Sequence, residues 1–107
     1  MYVALLDSGA TASWVSRAIV RRFDLQPIGK RPCVVATEVR QLSSYIFRLG
    51  LVGDDEPTTA LPFVFTETVG FEIKQANGFD VLLGMDVLSE TDFVMRRDGS
   101  WELAFGR

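Results

Sequence analysis

From Pro32 onward the apolar residues of this chain fall into a period of two, and that restricts it to a fold built mainly from strands. In "SYIFRLGLVG", Tyr45, Phe47, Leu49 and Leu51 alternate with polar or small residues, the pattern of a half-buried strand. "CVVATEV" reads as the strand before it, with the polar "TEVRQLSS" as the hairpin tip between them. "GDDEP" is an acidic turn, and "ALPFVFTETV" is a further strand with Pro62 near its start. Residues 70–78 read as a loop. Asp98-Gly99 is a strong hairpin signal between "FVMRR" and "WELAF".

The segments outside this pattern are short. "YVALL", residues 2–6, is apolar on both faces and reads as a buried strand running into the small-residue turn "DSGAT". Residues 13–23 carry helical spacing at Val15, Ala18, Ile19, Arg22 and Phe23, with Ser13 as the N-cap. Pro27, Gly29 and Pro32 mark residues 25–32 as a connector. Val81 to Leu83 is a buried strand broken by Gly84, and "MDVLSET" is one short helix. Six or seven short strands and two short helices make a mostly β, single-domain chain over residues 1–107.

Composition narrows the function. The chain has 107 residues, 48% of them hydrophobic, and a formal net charge of −3. An apolar excess in so small a domain implies surface covered by another chain, so oligomerisation is expected. The acidic balance disfavours nucleic acid, whose binding rests on clustered Lys and Arg. Arg17, Arg21 and Arg22 read as a solvated helix face, and Arg96-Arg97 as a hairpin end. The single cysteine, Cys33, in "PCVVA", reads as buried packing and forms no intrachain disulfide. No apolar stretch reaches 18 residues and no signal peptide is legible, so the expectation is a cytoplasmic chain without a membrane partner.

There is no histidine, which removes Ser-His-Asp and Cys-His catalysis and histidine metal sites. Neither GxGxxG nor GxxxxGK[ST] occurs. If the chain is an enzyme, carboxylates are the strongest candidates to do its chemistry, and carboxylate acid–base chemistry needs no metal or organic cofactor.

"LLDSGAT" followed about 75 residues later by "VLLGMDVL" resembles the retropepsin-like aspartic proteases, the single-domain retroviral and bacterial type, over nearly the whole chain. Leu5, Leu6, Asp7, Ser8, Gly9 and Ala10 match the family's active-site pattern, and Leu82, Leu83 and Gly84 match its second signature. The resemblance is closest to bacterial members. It implies a closed β-barrel with one or two short helices, in which Asp7 is catalytic and Ser8, Gly9, Ala10 and Thr11 form the active-site turn. Ser8 would bond across the site, Gly9 would let the backbone turn sharply, and Ala10 and Thr11 would leave room for substrate. Ala36, Thr37, Glu38 and Val39 would be the substrate-covering flap, although no glycine lies between Lys30 and Gly50. Val39 and Leu82 would line apolar subsites. Gly84 would sit beside the active-site turn, while Asp80 and Asp86 would be structural, Asp86 capping the short helix or pairing with an arginine.

Of eight aspartates only Asp7 lies in a D-[ST]-G triplet of this kind within an apolar strand context. The family's chemistry uses two carboxylates that share one proton. One chain supplies one of them, so the resemblance implies a homodimer acting on polypeptide as an endopeptidase, best at acidic to neutral pH. Only six residues precede Asp7, so the family's N-terminal arm is absent here or trimmed away. Trp101, Leu103 and Phe105 would then form the interface. Two alternatives stand beside this: the same fold without catalysis, as a dimerisation or peptide-binding module of a larger protein, or an unrelated small β domain in which "DSG" is only a turn.

Overall fold

In a computed structural model of the chain, the structure describes residues 2–53, 63–74 and 78–105. The acidic turn at 53–57 and the start of the strand expected from Ala60 lie largely outside them. The chain is mostly β, with eight strands and two short helices among the described residues. A mixed six-stranded sheet contains β1 (Ala4–Leu6), β2 (Ser13–Ser16), β3 (Pro27–Val35), β4 (Glu38–Leu51), β5 (Phe63–Ile73) and β6 (Val81–Leu83) in the order β1-β6-β2-β5-β4-β3. A separate hairpin joins β7 (Asp92–Met95) to β8 (Trp101–Ala104), with Gly99 of the expected Asp98-Gly99 turn at φ 90°. The helices are α1 (Arg17–Arg22) and α2 (Met85–Leu88). Neither is long and apolar enough to cross a membrane.

The sheet does not close into the expected barrel. Closure would require its end strands to pair with a consistent stagger. Instead, among the described residues, β1, three residues long, pairs only with β6, and β3 pairs only with β4. β3 opens with six exposed residues in succession, as befits an end strand of an open sheet.

Four boundaries differ from the sequence reading. Ser13 begins a strand rather than capping a helix. Trp14 and Val15 pair with β5 on one side and β6 on the other, and the cap is Ser16, whose hydroxyl accepts the Ile19 N–H at 3.3 Å. Residues 27–32, expected as a connector, are strand. Proline is tolerated there because β3 is an edge, and Gly29, at φ 136°, absorbs a register shift. The hairpin turn is the two residues Ala36-Thr37, with Val35 opposite Glu38, instead of the longer polar tip. Residues 70–73, expected in a loop, extend β5.

The core is small. Val15, Val81, Leu83 and Val87 are buried against one another, and Leu6, Ile19, Phe47 and Phe65 pack around them. Burying a side chain of this size contributes about 1.5–3 kcal/mol, so this cluster at the β2–β6–α2 crossing anchors the fold. Many large apolar side chains stay outside it, including Val3, Leu5, Val34, Val39, Met95 and Trp101.

Candidate active site: the Asp7 turn and its cleft

Asp7 ends β1, and its position is set by β6. The parallel register puts Leu6 beside Leu83, and the Asp7 N–H donates to the Leu83 carbonyl at 3.0 Å. The chain then reverses. The Ala10 N–H returns to the Asp7 carbonyl at 3.2 Å, and the Gly9 N–H donates to Asp7 Oδ1 at 2.9 Å. One carboxylate oxygen is thereby oriented by the turn it begins, an arrangement Asp favours. Gly9 serves by its size rather than by an unusual φ: a Cβ there would lie 3.2 Å from Asp7 Oδ1. Ser8 and Thr11 are exposed beside it, and Ala10 is half-buried.

The second motif locks this turn from below. The Met85 N–H donates to the Ala10 carbonyl at 2.7 Å. A Cβ on Gly84 would come within 2.5 Å of the Ala12 carbonyl oxygen, so no other residue fits without moving the backbone. Leu83 is only 1% exposed and belongs to the core, while Leu82 is half-buried opposite Leu5 and Trp14.

Asp86 has a larger role than capping a helix. Its Oδ2 accepts the Ser13 N–H at 3.1 Å, and its Oδ1 accepts the Ser13 hydroxyl at 2.7 Å and the Val87 N–H at 2.9 Å. Ser13 Oγ in turn accepts the Gly84 N–H at 3.1 Å. Ser13 is fully buried, and this network satisfies it completely. Among the described residues Asp86 pairs with no arginine. Sequence reasoning placed Ser13 at a helix terminus and so missed its part here. Its signal was a serine immediately before the β-favouring Trp14-Val15. Asp80 is structural too: its carboxylate accepts the Val3 N–H at 2.8 Å.

Asp7 opens onto a cleft of about 1300 Å³ between its turn and the underside of the β3–β4 hairpin. Gly9, Ala10 and Thr11 line one wall, and Arg31 to Ala36 line the other. The floor carries Trp14 and Phe71, whose ring centroids are 5.2 Å apart. Of the four residues expected as a flap, Ala36 reaches the cleft. Ala36 and Thr37 form the tip, and Glu38 and Val39 begin β4 on the exposed side. Ala36 holds φ at 58°, a left-handed conformation usually left to glycine or asparagine. Val39 and Leu82 do not line the cleft; Phe65, Val69 and Val87 supply its apolar surface. Cys33, expected as buried packing, is half-buried and lines the same wall, on an end strand of the sheet.

Comparison with protein-family models, with curated proteins and with solved structures finds no match to this chain. Its chemistry therefore has to be argued from the site itself. A second depression, of about 620 Å³, adjoins the first at Asp7, which lines both; Ser8, Leu5, Met95, Trp101 and Leu103 line the second with it. Asp7 thus stands where an open, partly apolar cleft meets an apolar groove. Among the described residues no three His, Cys, Asp or Glu side chains come together as a metal site.

Proposed function

We propose that the chain is an aspartic endopeptidase of the retropepsin-like type, working as a homodimer in which Asp7 of each subunit contributes one carboxylate. The observation that carries this is the placement of Asp7: a carboxylate held by a small-residue turn, at the mouth of a cleft large enough for an extended peptide, facing a hairpin. One of the paired carboxylates takes a proton from the attacking water, and the other donates to the carbonyl oxygen of the scissile bond. The pair shares one proton, so activity belongs to acidic to neutral pH. The apolar groove beside Asp7 supports a second copy as neighbour, since Leu5 and Trp101 would lose 45% and 58% exposure there.

The test is to incubate the protein and its Asp7→Asn variant with a mixed peptide library from pH 4 to 7, read cleavage by mass spectrometry, and measure oligomeric state by sedimentation. Cuts made by the parent dimer and lost in the variant are expected. A stable dimer that cuts nothing would leave the second reading, a peptide-binding module. The cleft favours that reading as the fallback because it exists in the single chain.

A further inference from the structure

The cleft carries charges that hydrolysis at Asp7 does not use. Its charged lining among the described residues is Asp7, Arg31, Glu67, Asp86 and Glu90. Both oxygens of Asp86 are committed to Ser13 and Val87. Apart from Asp7, that leaves two acids, Glu67 and Glu90, against one guanidinium.

Glu67 lies beside an irregularity in β5. Phe65 pairs with Leu49 and Thr68 pairs with Phe47, so β5 spends one residue more than β4 between those two pairs. Phe65, Glu67, Thr68, Val69 and Phe71 all line the cleft, so β5 borders it on both sides of that extra residue. Beyond it, Glu67, Val69 and Phe71 alternate onto one face. The result is an exposed carboxylate in an otherwise apolar stripe, with no ion pair among the described residues. Arg48, opposite the bulge, makes none either and does not line the cleft. A carboxylate that breaks an apolar pattern without an internal partner suits a cationic ligand. The opposite wall is β3, an end strand of the sheet, whose free edge suits an extended chain added alongside it.

We propose that the cleft selects an extended polypeptide bearing a lysine or arginine, and that Glu67 is the residue that reads it. This deepens the peptidase reading and rests on the cleft being a peptide site, but it does not require hydrolysis. The test uses the Asp7→Asn variant and fluorescent apolar peptides carrying a single Lys, Gln or Glu at each position in turn, with affinity read by anisotropy. At low ionic strength the best-placed Lys peptide should bind about fivefold more tightly than its Gln counterpart, and salt should erode that advantage. Adding Glu67→Gln should abolish it, and adding Glu67→Lys should turn the preference toward the Glu peptide. Equal binding of Lys and Gln peptides, no binding of any peptide, or a preference that survives Glu67→Gln would each overturn the proposal. The same peptides offered to the parent separate the two readings. A Lys preference in binding without Asp7-dependent cleavage removes the peptidase and keeps this inference. Cleavage indifferent to Lys does the reverse.

Discussion

The hydroxyl of Ser13 donates to Asp86 at 2.7 Å while accepting the Gly84 N–H at 3.1 Å, so one buried side chain ties β2, the end of β6 and the start of α2 together. The turn that carries Asp7 lies directly on this joint, through the bond from the Met85 N–H to the Ala10 carbonyl.

Removing the acid should loosen that joint. Asp86→Ala strands the buried Ser13 N–H and hydroxyl, and a lost bond to a charged acceptor costs about 1.5–3 kcal/mol. Ser13→Ala should cost about 1–3 kcal/mol by the same reasoning. Because they share one network, the double variant should lose less than the sum of the two. Urea unfolding of the four proteins measures this, and strict additivity would contradict it.

Gly84→Ala tests the close approach of the two motifs. The new Cβ would meet the Ala12 carbonyl oxygen at 2.5 Å and the Ala10 carbonyl oxygen at 2.8 Å, both backbone atoms that no side-chain rotation can clear. Overpacking of this kind costs about 1–3 kcal/mol or more. The same substitution at Gly78 meets no neighbouring atom within 4 Å and incurs only the strain of its positive φ. Thermal melts should therefore rank Gly84→Ala well below Gly78→Ala.

Tyr45 gives an alkaline signature. Its ring is buried and its hydroxyl donates to Glu72 Oε1 at 3.2 Å, and Glu72 also accepts Arg17 Nε at 2.8 Å. Burial first, then the bond and charge of Glu72, hold the phenol above its ordinary value of 10.0. The folded state thus prefers the neutral phenol. This stability is complete below the unfolded chain's value and is lost as pH rises through the folded one. Tyr45→Phe should cost about 1 kcal/mol near neutral pH and flatten the fall in melting temperature above pH 10. A parallel fall in both proteins would place the alkaline loss elsewhere.

The strand character of the chain was legible because Tyr45, Phe47, Leu49 and Leu51 keep a strict period of two. Asp7 and Gly84 were legible as partners only through the family resemblance that "LLDSGAT" and "VLLGMDVL" carry together; each apolar run alone says no more than a short strand. What stayed hidden depended on neighbours far along the chain. Ser13 is equally apt as a helix cap or a buried bridge, and only Asp86, 73 residues away, decides between them. Pro27, Gly29 and Pro32 look like a connector until β3 is known to be an edge, where a missing N–H costs nothing. That Glu67 borders the cleft depends on β5 lying between β2 and β4 in the sheet, which periodicity over so short a segment does not reveal. The absence of closure was likewise beyond local pattern, since it depends on where the two end strands lie in space.

The pairing of β1 with β6 has a consequence for timing. Among the described residues β1 pairs with no other strand, and its partner arrives 77 positions later, with Ala4 opposite Val81. A chain still being synthesised can form the β3–β4 hairpin from adjacent residues, but its Asp7 turn has no floor until Leu83 to Asp86 have emerged. Contacts of such long sequence separation form slowly, because a large loop must close before they stabilise anything. Asp7 is therefore made well before the residues that put it in place, so whatever chemistry it carries is withheld until the segment from Leu83 to Asp86 has joined it.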